Sequence, residues 1–255
     1  MAFSFDYRFL IAYLLVMARG LAWLMVVPPF SNRQSVPPMV TIAIASGLAF
    51  LIAPTLPASQ LPTDTAGLIG ALVINVVTGL AIGFVVFLLI SAVTTAGSLL
   101  DLLGGLNLPT SIDPLSLDQI PVLGQFYEQI AVVLLFVSGG YLAVIDGFVR
   151  SFRAPALSLA TFGRLDTVLV LDLATYFLSG IEIAAPLLIV LFATQIVLAL
   201  LTKAAPQVNV WILGMPLQVF LAMILVGLGI AVVPDFLGNL ITRALGDANG
   251  ILVGH

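Results

Sequence analysis

The sequence predicts an all-α membrane protein of about six long apolar helices, several of them broken by proline or glycine. Of its 255 residues, 61% are hydrophobic and only 8% are charged, whereas a soluble domain carries about 25% charged residues. The apolar residues form runs close to the roughly 20 residues that cross a hydrocarbon core. Proline and glycine inside these runs free backbone groups that lipid cannot satisfy, so we expect other protein to cover them.

The six helices are predicted at residues 9–27, 39–53, 67–93, 122–145, 168–201 and 208–233. Proline ends three of them, at Pro28, Pro54 and Pro234, because proline lacks the N–H that a helix needs and clashes with the preceding turn. The third helix contains Gly79 and Gly83, a small-xxx-small motif. The motif indicates either a close contact between two helices or simply a glycine-rich span.

Two connections are longer than the others, at residues 94–121 and 146–167. The first has no basic residue and contains three aspartates, Asp101, Asp113 and Asp118. Long connections are often functional, and two interpretations stay open: a re-entrant plug or lid across an aqueous path, or an exposed loop. The second contains Arg150, Arg153 and Arg164 among apolar residues, and we expect it to lie in the membrane interface.

Two charged residues fall inside predicted helices, Arg19 in the first and Glu182 in the fifth. A charge at the centre of a bilayer costs about 2.5–3.5 kcal/mol on insertion scales, so such groups face protein or water. Each therefore indicates either a proton or ion path, or a buried contact made within the chain or with a neighbouring subunit. Pro186 and Pro216 interrupt the fifth and sixth helices.

The start of the sixth helix is the most unusual segment. Gln207 and Asn209 follow Pro206 at the mouth of a long apolar run that contains Gly214. A buried amide needs partners for its donors and its acceptor, and interhelical amide hydrogen bonds contribute about 0.6–2 kcal/mol each. The segment is either a specific contact with another subunit or the polar start of a helix near the lipid headgroups.

The residue inventory excludes most enzyme chemistry. The sequence has no cysteine and a single histidine, which is His255. We therefore expect neither a metal centre nor a catalytic triad, and predict a protein that is not an enzyme and has no cofactor. The net charge is −4 and no run of lysine or arginine occurs, so we expect no nucleic-acid partner.

Three segments resemble the FliR family, a subunit of the flagellar type III export gate, and its injectisome counterpart SctT. Residues 29–37, which contain Arg33, resemble the proline-flanked turn of that family. Asp113-Pro114 followed by residues 120–124 resembles its D-P and V-P-V-L-G stretch. Residues 204–217 resemble its A-P-Q-x-N-V and G-x-P-L segment, which is the most specific of the three.

The resemblance implies a fold, partners and a location. Residues 1–165 would form a FliP-like helical part, and residues 166–255 a FliQ-like helical hairpin with a C-terminal tail. One FliR would join five FliP and four FliQ subunits, with FlhB and FlhA as further export-apparatus partners and membrane lipid around them. The complex would conduct unfolded protein substrates and would not hydrolyse ATP itself. It would lie in the bacterial inner membrane, within the flagellar basal body.

The resemblance also implies two groups of site residues. The first is a plug at about residues 106–122 that closes the channel by apolar contact and bends at glycine and proline, with members Gly104, Gly105, Leu106, Leu108, Pro109, Ile112, Asp113, Pro114, Leu115 and Pro121. The second shapes the hairpin and the contacts to other subunits, with members Arg33, Glu182, Pro206, Gln207, Asn209, Gly214 and Pro216. Two alternatives remain, an injectisome subunit and a proton-coupled secondary transporter with a midplane site around Glu182, which would need an internal repeat that the sequence lacks.

Overall fold

The helices of this computed structural model confirm the all-α class. The structure describes residues 7–28, 30–31, 36–57, 61–105, 121–152, 159–205, 210–230, 234–235 and 238, and these ranges contain no strand. Seven α-helices follow in chain order: α1 (Tyr7–Val26), α2 (Pro38–Ile52), α3 (Thr65–Gly104), α4 (Val122–Val137), α5 (Gly140–Arg150), α6 (Leu159–Ala204) and α7 (Val210–Ile230). A single 3-10 turn, Ala53–Thr55, extends α2.

Four helical stretches among the described residues are long and apolar enough to cross a membrane, namely α1, α2 with its 3-10 turn, α3 and the Ala184–Ala204 part of α6. A fifth is gained if α4 and α5 count as one broken span. The fourth predicted helix is thus divided, because Gly139 has a φ of +74°, a left-handed conformation that ends one helix before the next begins. In α7 the shorter stretch Pro216–Gly229 is the apolar helix.

The prediction that residues 94–121 form one connection is wrong for its first third. Helix α3 continues to Gly104 and has 40 residues. The hydroxyl groups of Thr94, Thr95 and Ser98 donate to the carbonyl oxygens four residues earlier, at 3.1, 2.7 and 3.0 Å. These bonds satisfy the polar side chains inside the helix, so a segment that is polar in composition remains helical.

The prediction that residues 146–167 form one connection is wrong at both of its ends, which are helical. Asp146 and Arg150 lie in α5, where they form an exposed i,i+4 ion pair at 2.6 Å, and residue 164 lies in α6. Arg153 lies outside the described residues. The i,i+4 pair adds a small local stabilisation to α5, and the position of the segment in the membrane interface stays a prediction.

The chain divides into two compact units, Met1–Leu88 with Gly139–Val170 and Ala244–His255, and Leu89–Ser138 with Leu171–Arg243. In the first unit, Trp23 of α1 stacks on Phe148 of α5 with ring centroids 4.5 Å apart. Gly79 and Gly83 face the backbone of α1, where an added Cβ at Gly83 would lie 2.8 Å from the carbonyl oxygen of Trp23. The small-xxx-small motif therefore makes a close helix contact. The division at residue 165, which rests on resemblance, stays a prediction.

Arg19 is buried in the first unit and is satisfied within it. Its Nε donates to Oδ1 of Asn75 at 2.9 Å, and its Nη1 donates to the carbonyl and Oγ oxygens of Ser151 at 2.8 and 3.0 Å. The guanidinium carbon lies 4.0 Å from the ring centroid of Phe152, a cation–π distance. Among the described residues no carboxylate pairs with it. The contact within the chain, rather than a proton path, accounts for this charge.

Candidate functional site

The candidate site lies in the second unit, where the chain leaves α3 and returns to α4. The predicted seal and bend residues between these helices lie outside the described residues, namely Leu106, Leu108, Pro109, Ile112, Asp113, Pro114 and Leu115. Both ends of the segment are described: Gly104 and Gly105 on one side and Pro121 on the other. We call the contacts that join these two ends the loop base.

The first half of the loop base is the C-terminus of α3. Gly105 has a φ of +73°, the left-handed conformation that commonly follows the last residue of a helix. The side-chain amide of Gln195 in α6 donates to the carbonyl oxygen of Leu103 at 3.1 Å. An added Cβ on Gly104 would lie 2.9 Å from the Cβ of Ala222 in α7. The helix end is therefore capped by α6 and packed closely on α7.

The second half of the loop base is the N-terminus of α4, which begins after Pro121. Pro121 has no side-chain oxygen with which to cap the helix. The Oδ2 atom of Asp101 in α3 accepts both first-turn N–H groups that follow, from Leu123 at 2.8 Å and from Gly124 at 3.1 Å. The first N–H groups of a helix have no partner inside it, so Asp101 supplies from a neighbouring helix the oxygen that an N-cap residue ordinarily supplies.

Two glycines bring α3 and α4 together at this point. An added Cβ on Gly97 would lie 2.5 Å from the carbonyl oxygen of Leu123, and one on Gly124 would lie 2.6 Å from Oγ of Ser98. Real Cβ atoms do not approach backbone so closely, so Gly97 is required at this helix separation, whereas a side chain at Gly124 would displace the hydroxyl group of Ser98. Gly124 belongs to the segment that resembles the FliR family, and the structure supplies the physical reason for it.

Asp101, Gln195 and Tyr127 are the residues that sequence reasoning missed. The sequence predicts Asp101 as one of three acids in a loop, yet it is fully buried in a helix. The sequence does contain an indication for Asp101, because Pro121 cannot cap the helix that follows it and Asp101 is an acidic residue only 20 positions earlier. For Gln195 the neighbouring sequence contains no such indication. Tyr127 is also fully buried. Within the described residues, its hydroxyl and Oδ1 of Asp101 have no hydrogen-bond partner.

The predicted contact residues are only partly described. Arg33, Pro206, Gln207 and Asn209 lie outside the described residues. Gly214 is buried in α7, where an added Cβ would lie 3.2 Å from Cδ1 of Leu198 in α6. Glu182 in α6 and Pro216 in α7 are exposed. In the ranges that the structure describes, no group of three or more acidic or histidine side chains is placed to hold a metal ion.

These features define a membrane-integral all-α protein in which hydrogen bonds between helices hold both ends of the connection from α3 to α4. Its sequence matches a known protein family over most of its length. Residues 10–244 match the model of the family described as bacterial export proteins, family 1. The chain belongs to this family, and within it to the FliR group.

Three relatives illustrate the relationship. The chain is 31% identical to flagellar biosynthetic protein FliR of Escherichia coli over 191 residues, which cover 74% of this chain and 73% of that protein. It is 27% identical to flagellar biosynthetic protein FliR of Bacillus subtilis over 84% of each chain. It is 26% identical to Yop proteins translocation protein T of Yersinia pestis over 86% of this chain and 85% of that protein. The resemblance inferred from three segments is confirmed.

Proposed function

We propose that this chain is a non-enzymatic core subunit of the flagellar type III protein export gate. In this role it forms, with FliP and FliQ, the channel that conducts unfolded flagellar substrates across the bacterial inner membrane within the basal body. Membership of the export-protein family supports the export role, and the names of its FliR relatives support the flagellar one. The structural observation that carries the gate role is the loop base, which ties both ends of residues 106–120 to α3 and α4.

The lengths of the helices support assembly with other subunits. Helix α3 has 40 residues and α6 has 46, which correspond to about 60 and 69 Å at 1.5 Å per residue. A hydrocarbon core is only about 30 Å thick. Large apolar side chains are nevertheless exposed along several helices, including Met39, Val137 and Ile189. The apolar helix α3 is about twice as long as lipid alone covers, so sister subunits would cover the remainder of it.

The loop base supports the plug. Residues 106–120 follow the capped end of α3 and precede the capped start of α4, so the structure fixes the two points between which the segment runs. In the proposed gate, Leu106, Leu108, Ile112 and Leu115 seal the channel by apolar contact. A segment held at both ends can move aside for a substrate and return without leaving the subunit.

Deletion of residues 106–115 tests this proposal. The deletion leaves Asp101, Leu123 and Gly124 in place, so the loop base and assembly should survive while the seal is lost. We expect the altered chain to copurify with FliP and FliQ as the unaltered chain does, and cells that carry it to leak small ions. Ion leakage is measured with a membrane-potential dye, and recovery of the complex by affinity purification. An intact complex without added leakage would contradict the plug.

Separate observations bear on the two alternative functions, an injectisome subunit and a secondary transporter. Similarity to Yop proteins translocation protein T keeps an injectisome role open, and restoration of motility in a strain that lacks FliR would decide for the flagellum. A secondary transporter would place Glu182 and Pro186 in a binding cavity. Both residues are exposed on α6, on the side away from its packed face, which argues against a transporter.

A further inference from the structure

The start of α4 is capped from another helix rather than from its own chain. An N-cap side chain ordinarily accepts the N–H groups of the second and third helical residues, which in α4 are Leu123 and Gly124. Both groups donate instead to Oδ2 of Asp101 in α3, at 2.8 and 3.1 Å. One oxygen therefore makes two contributions: it caps α4, and it ties the first turn of α4 to α3.

This arrangement costs more than a local cap would. Asp101 is fully buried, and its Oδ1 has no hydrogen-bond partner within the described residues. A buried polar atom without a partner costs free energy, and a buried carboxylate costs more unless it is paired. A serine at position 121, which is partly exposed, would accept the same N–H groups without either cost. Capping alone therefore does not account for Asp101.

The tie supplies a direction that the neighbouring glycine contact lacks. Gly97 lies one helical turn before Asp101 in α3, and an added Cβ there would lie 2.5 Å from the carbonyl oxygen of Leu123. Van der Waals contact is tolerant of sliding and rotation, whereas a hydrogen bond weakens steeply as its angle departs from linear. The glycine permits the close approach, and the carboxylate fixes where along α3 the first turn of α4 lies.

The position of that turn is also the position at which residues 106–120 end. The other end of the segment follows α3, whose C-terminus is held separately by Gln195 of α6 and packs on Ala222 of α7. A shift of α4 along α3 would therefore displace one end of the segment and leave the other in place. Among the described contacts, the bonds to Asp101 are the polar ones that oppose such a shift.

We propose that Asp101 is a positioning residue for the gate: by tying the first turn of α4 to α3, it holds residues 106–120 in the closed position. The inference rests on the proposed function, because it assumes the plug, and it adds the side chain that keeps the plug closed. Asp101 acts through Leu123 and Gly124 and does not touch the substrate. Loss of the tie leaves α4 free to shift, so the closed state loses population to the open one.

Three variants separate the tie from the cap. Asp101→Ala removes both. Asp101→Asn keeps an acceptor oxygen on α3 and so preserves the tie. Asp101→Ala combined with Pro121→Ser restores an N-cap from the chain of α4 itself but does not restore the tie. Each variant is coexpressed with FliP and FliQ, and we measure ion leakage with a membrane-potential dye and the melting temperature of the purified complex.

We expect leakage to follow the tie and melting temperature to follow the cap. Asp101→Ala should leak about tenfold more than the unaltered chain, the change in population that about 1.4 kcal/mol produces, and Asp101→Asn should leak less than Asp101→Ala. The combined variant should regain most of the lost melting temperature and still leak as Asp101→Ala does. Pro121→Ser alone is the reference for the combined variant.

A combined variant that leaks no more than Pro121→Ser alone would overturn the inference, because a local cap would then be sufficient. An intact Asp101→Ala complex without added leakage would overturn it as well. If Asp101→Ala does not assemble, Asp101→Asn and the combined variant carry the test, and equal leakage from these two excludes the tie. The matched control is Asp64→Ala, which removes an exposed cap at the other end of α3 and should leave leakage unchanged.

Deletion of residues 106–115 distinguishes a failure of this inference from a failure of the proposed function. If the deletion does not leak, the plug itself is wrong, whatever the Asp101 variants do. If the deletion leaks and the combined variant does not, the plug stands and only the positioning role of Asp101 fails.

Discussion

Single side chains at the loop base replace the caps that its helices lack. One oxygen of Asp101 accepts two backbone N–H groups at 2.8 and 3.1 Å, and Gln195 covers the carbonyl oxygen of Leu103. Asp101 is fully buried, so water does not compete for its bonds, whereas Gln195 is half-buried. Leaving a buried backbone group without its hydrogen-bond partner costs about 1–3 kcal/mol of stability. This cost sets the size of the effect in the first prediction.

Asp101→Ala should lower the free energy of unfolding by about 1–3 kcal/mol, because two buried N–H groups lose their acceptor. Asp101→Asn keeps an acceptor oxygen and should lose less. The matched control is Asp64→Ala, since Asp64 caps Gly67 of α3 at 3.1 Å from an exposed position where water replaces it. Thermal unfolding of the purified chain in detergent measures the stability of these three variants. A smaller loss for Asp101→Ala than for Asp64→Ala would contradict the role given to Asp101.

Arg19 makes the second prediction at this scale. Arg19→Lys keeps the charge but cannot reach Asn75 and Ser151 with the fixed fork of a guanidinium, so we expect a loss of about 1–3 kcal/mol in stability. Arg150→Lys is the control, because its ion pair with Asp146 is exposed and such pairs contribute about 0–1 kcal/mol. Denaturant titration of both variants tests the difference, and equal losses would show that burial of Arg19 is unimportant.

At the scale of elements, glycine positions decide where helices end and how closely they pack. Gly139 ends α4 with a positive φ, and an added Cβ there would meet no atom within 4 Å. Its conformation, rather than the space around it, therefore requires glycine. Gly97 and Gly124 differ, because at those positions the neighbouring helix occupies the space.

Gly139→Ala should cost about 1–2 kcal/mol, the penalty of a left-handed conformation for a residue with a Cβ. Asparagine tolerates that conformation better, so Gly139→Asn should lose less. Gly47→Ala provides a control of opposite sign: Gly47 lies inside α2 with no atom within 4 Å, and alanine is favoured over glycine in a helix by about 1 kcal/mol. Melting temperatures that fall for both alanine variants would contradict this distinction.

At the scale of the whole molecule, the lengths and exposed apolar surfaces of the described helices favour assembly with other subunits. Helices α3 and α6 are about twice as long as a hydrocarbon core is thick, by the rise per residue of a helix. The exposed apolar side chains of α2, of α4 and of the second half of α6 have no cover within the described residues. An isolated chain should therefore aggregate or require detergent, and coexpressed sister subunits should raise its yield.

The all-α class and the order of the helices follow from sequence because they depend on local composition and spacing, whereas the motif at Gly79 and Gly83 left two interpretations between which only the packing against α1 decides. The extension of α3 does not, since hydroxyl groups that bond back to their own helix resemble a polar loop in composition. The caps of Asp101 and Gln195 join residues 22 and 92 positions apart. Such contacts exist only after the helices have packed, so no window of sequence contains them.

The loop base also determines how mechanical force enters the subunit. In the proposed gate, a polypeptide that pulls on the middle of residues 106–120 would pull on Gly105 and Pro121 together. That pull would reach α4 at the N–H groups of Leu123 and Gly124, which share Oδ2 of Asp101 in α3. The loop base would therefore distribute the load of a passing chain over two helices instead of one.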